Sequence, residues 1–263
     1  MEVDLTLESG DVSVYVRDFG RGRPLIHLHG GWGHDIYPFD RQVELLEGQY
    51  RVLVPDRHGY GRSTRRLEPF AFDFHRRAAG ETLALMDALG LEQAVLWGHS
   101  DGAVTAVWMG LEAPERCSAL VLEALHFDRA KRSSTEFFET MATDPSAFPR
   151  AVTSIAAAEH GADYWEHLLR SEGMVWRQIQ ETPYPWPDLF DGRMGELTAP
   201  VLVLHGAEDP RTEPRELEAV QQALPGAEIC LLEGGGHSPH SQEEVWKGAT
   251  QTALDFLRRQ GLG

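Results

Sequence analysis

The chain has 263 residues, 42% of them hydrophobic, enough for one sizeable α/β domain with an insertion, and no apolar run is long enough to span a bilayer. Its 24 basic and 41 acidic residues give a formal net charge of −17, a surface that repels phosphate backbones and anionic membranes and argues against nucleic-acid or membrane partners. The acidic start, Met1-Glu2-Val3-Asp4, lacks the basic and apolar regions of a signal peptide. Cys117 and Cys230 each sit in an apolar strand-like run. Two buried free thiols in a reducing, cytoplasmic compartment are therefore expected.

Residues 3–7 and 12–19 read as strands joined by a Ser9-Gly10-Asp11 turn, an antiparallel hairpin. A third strand, 24–29, ends in Gly30-Gly31-Trp32-Gly33, and a short helix fits 39–46. A fourth strand, 51–55, runs into the turn-rich Asp56-Arg57-His58-Gly59-Tyr60-Gly61-Arg62-Ser63. Residues 74–89 carry apolar side chains at helical spacing, and Gly90 stands where a helix stops. The apolar run Val95-Leu96-Trp97 then meets Gly98-His99-Ser100-Asp101-Gly102 and passes into a helix over about 102–111, followed by a strand at 119–123.

From about 124 to 196 the alternation breaks into an aromatic-rich, helix-compatible stretch, read as an inserted helical cap between core segments 1–123 and 197–263. Alternation resumes with a strand at 201–205, a helix around 213–224, a strand at 229–232 and a last helix over 243–259. Strands alternating with helices predict a mostly parallel sheet covered on both faces, with function at the carboxyl ends of the strands.

The Gly-x-Ser-x-Gly stretch matches a nucleophile elbow, a strained strand-to-helix turn that lifts a serine hydroxyl above the sheet edge. A serine needs a base within reach and a group to orient that base. Among twelve histidines, His237 follows a strand and three glycines just before the last helix and is the expected base, with His240 the weaker rival at the helix start. His99 adjoins Ser100 and should point away into a structural hydrogen bond, and His27 should be packed within its strand. His29 is assigned a structural or oxyanion-loop role; His75, His160 and His167 read as helix-surface or cap residues. The orienting acid is expected at the end of the strand 201–205, in His205-Gly206-Ala207-Glu208-Asp209-Pro210. Asp209 is preferred there over Glu208 and over Glu123. Asp101 should supply one backbone N–H to the oxyanion, and Gly31 or Trp32 the other.

Five pieces then resemble a serine hydrolase of the α/β-hydrolase superfamily: His29-Gly30-Gly31-Trp32-Gly33, the loop from Asp56 to Ser63, Gly98-His99-Ser100-Asp101-Gly102, His205-Gly206-Ala207-Glu208-Asp209 and Gly236-His237. They cover the chain outside the cap, in the family's order Ser, Asp, His. The resemblance implies an eight-stranded core, a lid inserted after the sixth strand, and neither cofactor nor metal. His58 departs from the glycine that relatives commonly carry. The Ser-Asp-Gly elbow is similar to that of the biphenyl-hydrolase-like branch, which includes amino-acid ester hydrolases. That likeness implies a role for Asp101 toward a substrate amine, beside the plainer reading of a bond to neighbouring loops.

The expected activity is cleavage of a small carboxylic ester or lactone through an acyl-enzyme. Trp32, His34, Asp101, His126, Trp176 and Trp186 are candidate lining of an apolar pocket. Ser100 in the elbow disfavours dehalogenase and epoxide-hydrolase chemistry, whose nucleophile is a carboxylate. The alternatives are a C–C bond hydrolase, a perhydrolase or haloperoxidase-type enzyme using the same three residues, or a slow-turnover ligand sensor. The chain is expected to work as a monomer or homodimer on a small-molecule ester.

Overall fold

The computed structural model describes residues 2–7 and 12–263. Eight strands form one sheet: β1 (Glu2–Thr6), β2 (Ser13–Gly20), β3 (Arg23–Leu28), β4 (Tyr50–Pro55), β5 (Ala94–His99), β6 (Cys117–Glu123), β7 (Val201–Gly206) and β8 (Glu228–Leu232). Their order is β1-β2-β4-β3-β5-β6-β7-β8. The first two pairings are antiparallel and all the others parallel. The hairpin expected at the start is the β1–β2 pair; its Ser9-Gly10-Asp11 turn lies outside the described residues.

Alternate residues of the buried strands feed two cores. Ile26, Leu28, Leu96, Leu120, Leu122 and Val203 face one side, where α2 (Phe74–Ala88), α3 (Asp101–Glu112) and α7 (Glu216–Ala223) pack. Leu25, Val52, Val95, Trp97, Val121 and Leu204 face the other, against α1 (Asp40–Leu46) and α8 (Trp246–Arg259). The period-two alternation of near-continuous apolar strands is what a parallel sheet covered on both faces requires. Between β6 and β7 run α4 (Thr135–Thr143), α5 (Arg150–His160) and α6 (Trp165–Glu181), and α4 and α6 pack on each other through a stacked Phe138–Trp176 pair, 4.9 Å between ring centroids. Among the described residues no helix is long and apolar enough to cross a membrane. Both cysteines are free; Cys117 is buried, but Cys230 is only half-buried because β8 is an edge strand.

One buried ion pair ties the 124–196 segment to the rest. Lys131 Nζ lies 2.6 and 2.9 Å from the two carboxylate oxygens of Glu216, and both side chains are essentially inaccessible. The same carboxylate accepts the backbone N–H groups of Phe127 (2.8 Å), Asp128 (3.1 Å) and Glu213 (2.9 Å). Removing the cation strands a buried negative charge, which costs about 3 kcal/mol or more. Lys131→Met is therefore expected to lower unfolding stability by about that amount in urea titration; an unchanged midpoint would show the pair to be energetically idle.

Candidate active site

The turn after β5 places Ser100 at φ 54° and ψ −119°, immediately before the first turn of α3. Gly102 allows this: a Cβ there would run into the carbonyl of Leu28 at the end of β3. The Ser100 N–H donates to the Glu123 carbonyl at 2.9 Å, so the end of β6 holds the turn from the other side.

Ser100 Oγ lies 3.1 Å from His237 Nε2, and His237 Nδ1 lies 3.0 and 3.2 Å from the two oxygens of Asp209. The three residues expected to act together are thus in series at the carboxyl edge, all of them buried. Asp209 fixes the imidazole with its proton on Nδ1, leaving a lone pair on Nε2 toward the serine. Burial, with Arg211 nearby, lowers His237 to about 4 despite the Asp209 bond. Burial pushes the Asp209 carboxyl up, but the bond from His237 and its positive field more than offset this and hold Asp209 below the usual carboxylate range.

The rival histidines and acids have other partners. His240 donates from Nδ1 to Glu123 Oε1 (2.8 Å) and from Nε2 to the Tyr37 carbonyl (3.0 Å), which requires an imidazolium; the Glu123 charge raises it against the effect of burial. Glu123 also accepts the Trp97 indole N–H, and Glu208 is exposed. His99 donates to the His237 carbonyl (3.0 Å) and Ser238 (2.9 Å), and His27 stacks on Phe39 at 3.8 Å. His29 bonds the Gly30 carbonyl and receives the Arg57 N–H, a structural arrangement.

Several expectations need correction. His75 is not on a helix surface: it is buried and donates from Nε2 to Asp101 Oδ1 at 2.8 Å, because the 124–196 segment covers the start of α2. His160 does lie in the 124–196 segment, at the end of α5, but it is buried there, accepting the Gly61 N–H at Nδ1 and donating from Nε2 to the Trp32 carbonyl. Trp186, expected in the pocket, is half-exposed and lies against Gly192. His34 turns its ring to Asp35 and to the Phe39 N–H at the start of α1, away from the serine. Trp32 is buried with its ring against Phe137 and Phe148, and Trp176 sits edge-on to both His126 and His75. His126 reaches the serine itself, its Nε2 3.1 Å from Ser100 Oγ.

Sequence reasoning passed over Glu172. It projects from α6 to Gly31, where any Cβ would collide with its carboxyl and would stand 3.0 Å from Asp101 Oδ2. Burial and the neighbouring Asp101 charge push Glu172 well above its ordinary range, so it carries the proton. Burial pushes Asp101 up as well, but the bonds from His75 and Glu172 outweigh it and hold Asp101 ionised. The Asp101 carboxylate thus has two internal partners, which favours the loop-bonding reading over capture of a substrate amine. The signal that could have found Glu172 is a single carboxylate on the apolar stripe of an amphipathic helix.

The fold and this edge define the class. The model of the family described as "alpha/beta hydrolase fold" matches residues 23–172, and the chain belongs to that family. It is a hydrolase. It is 27% identical over 260 residues to "3-oxoadipate enol-lactonase 2" of Acinetobacter baylyi, covering 95% of this chain and 96% of that protein. It is 31% identical over 125 residues to "Epoxide hydrolase 2" of Siraitia grosvenorii, a match spanning 47% of this chain and 39% of that protein's length. The solved structure of a hydrolase from Pseudomonas aeruginosa superposes with a TM-score of 0.74 at 22% identity, over 97% and 98% of the two chains.

A protonated buried carboxyl makes stability depend on pH. Glu172 holds a proton in the folded chain that it releases above about pH 4.5 when unfolded, so its contribution is complete below that pH and declines as pH rises. Glu172→Gln keeps a donor toward Asp101 without the titration. Its melting temperature is expected to exceed that of the wild type at pH 7.5 and to match it near pH 4.5. Parallel melting curves of the two proteins across that range would count against the assignment.

Proposed function

We propose that the chain is a serine hydrolase that cleaves small carboxylic esters or lactones through an acyl-enzyme. The observation that carries this reading is the unbroken Ser100–His237–Asp209 series, 3.1 and 3.0 Å per step, on a strained turn at the carboxyl edge of the sheet. Ser100 attacks the acyl carbon as its proton passes to His237 Nε2, and Asp209 stabilises the imidazolium that forms. The N–H of Asp101, at the start of α3, and one from the Gly31–Trp32 turn receive the oxyanion; Gly31 packs directly on the Asp101 side chain, which brings the two donor segments together. His237 then gives its proton to the departing oxygen, and water releases the acyl group by the same steps in reverse order.

A serine in the elbow supports acyl transfer over epoxide opening, since the carboxylate beside it, Asp101, is bonded to His75 and Glu172. Near-complete coverage by an enol-lactonase at 27% identity supports an ester-type bond.

Ser100→Ala is expected to abolish turnover of p-nitrophenyl acetate and labelling by a fluorophosphonate, and Asp209→Asn to reduce kcat by about 10⁴-fold. The base must be neutral to accept the serine proton, so kcat/KM is expected to be flat from pH 8 down to about 5 and to fall below about 4, where His237 takes up a proton. A decline centred near 6.5 would show that His237 titrates as an ordinary histidine, and undiminished turnover by Ser100→Ala would refute the reading.

A further inference from the structure

Ser100 Oγ has two imidazole neighbours at the same distance. His237 Nε2 and His126 Nε2 each lie 3.1 Å away, and the two rings stand 5.5 Å apart with 17° between their planes. A hydroxyl has one proton to give. His237 uses its Nδ1–H on Asp209, so its Nε2 holds the lone pair that takes the serine proton. Toward His126 the serine oxygen is left only as an acceptor.

We propose that His126 is a second catalytic imidazole, a neutral donor whose Nε2–H is held on Ser100 Oγ through the reaction. The proposal deepens the acyl-enzyme reading and rests on it. With one direction of Oγ taken by its own proton and a second by His126, the remaining lone pair faces the acyl carbon. The ring thus sets the rotamer of the nucleophile before substrate binds, a positioning effect that lowers the barrier.

The chemistry balances without moving the His126 proton. As the Oγ–C bond forms, the carbonyl electron pair moves to its oxygen and the serine proton goes to His237 Nε2. As the C–O bond to the leaving group breaks, His237 returns that proton to the departing oxygen. In deacylation water attacks and gives its proton to His237. The Oγ–C bond then breaks and Oγ leaves, receiving the proton back. Oγ bears its greatest negative charge in the transition states where its bond to carbon is partly formed or partly broken, and there the His126 N–H stabilises it most.

The surroundings keep the ring in this role. It is buried, with Trp176 edge-on at 5.5 Å. Burial, Lys131 and His237 all disfavour a charge on it, while Asp101 and Asp209 act the other way and do not prevail. The segment that carries it is fixed by the Phe127 and Asp128 N–H groups on Glu216.

The test has a spectroscopic arm on the wild-type protein and a kinetic arm on variants. Imidazole 1H–15N spectra of the wild-type protein at pH 7, assigned by through-bond correlation from each ring to its own backbone, are expected to show His126 protonated on Nε2 and His237 on Nδ1. A bare His126 Nε2 overturns the proposal, whether or not any variant folds. His126→Phe is expected to slow fluorophosphonate labelling of Ser100 and p-nitrophenyl acetate turnover by about a hundredfold with KM nearly unchanged, and His126→Gln, which retains an N–H, to recover part of the loss. Labelling of His126→Phe at the wild-type rate overturns it. Undiminished turnover by Ser100→Ala instead removes the acyl-enzyme reading, whatever the tautomer of His126.

Discussion

The backbone of Ser100, at φ 54° and ψ −119°, is the constraint on which the rest of the site depends. A non-glycine residue in such a conformation costs on the order of 1–3 kcal/mol and persists only where its surroundings over-determine it. Here they do so from three sides. The preceding strand, β5, is buried along its whole length between β3 and β6. The Ser100 carbonyl accepts the Ala103 and Val104 N–H groups, which starts α3, and its N–H is held by Glu123. Glu123 acts twice, because its carboxylate takes both the N–H and the Nδ1–H of His240, three residues beyond His237. A single residue at the end of β6 therefore sets the turn of Ser100 and anchors the loop of His237.

The same device recurs around the site. Buried carboxylates, rather than regular secondary structure, satisfy the backbone of the irregular loops. Glu216 accepts two N–H groups beside His126, Glu159 those of His34 and Asp35 after the Trp32 turn, Asp56 that of Arg62, and Asp188 those of Phe190 and Gly192. Buried loops otherwise leave costly unpaired donors. Part of the chain's acidity is thus structural, and the −17 formal charge overstates what the surface carries. Each such carboxylate needs compensation: a cation, as Lys131 for Glu216, or a proton, as burial imposes on Glu159, which is raised to about 8.

How much of this was legible follows from what sequence pattern encodes. Apolar runs and their punctuation place strands to within a residue or two, so β7 and the Asp209 turn, or β5 and Ser100, could be read directly. The three residues Ser100, Asp209 and His237 each follow a strand end, and parallel topology brings such ends to one edge. His75 was misread because periodicity defines the faces of α2 but not what covers its first turn, which here is a segment 100 residues away in sequence bearing Trp176. Trp186 was misread for the converse reason: aromatic content alone does not say which rings turn inward, and the proline-flanked run around it leaves the ring against Gly192 at the surface. His126 was placed near the pocket, but it follows Ala124 at φ 50° and comes within 3.1 Å of Ser100 Oγ, a local backbone turn that no spacing rule discloses.

The segment between β6 and β7 is bonded to both halves of the site. From α5, Glu159 holds the His34 and Asp35 N–H groups and His160 holds the Trp32 carbonyl and the Gly61 N–H. From α6, Glu172 presses on Gly31 and pairs with Asp101, while Trp176 backs His126 and His75. Ser100 and His237 are only 5% and 8% exposed beneath it. Each hydrogen bond broken costs about 1 kcal/mol net, more where it strands a buried charge. A rigid swing of the whole layer would break most of these bonds together. It would also release the Gly31–Trp32 turn. Opening that keeps the turn in register must therefore be local, and α4 is no free flap: it packs closely along α6 at Gly173, pairs Glu139 with Arg177, and lays Phe137 against the Trp32 ring.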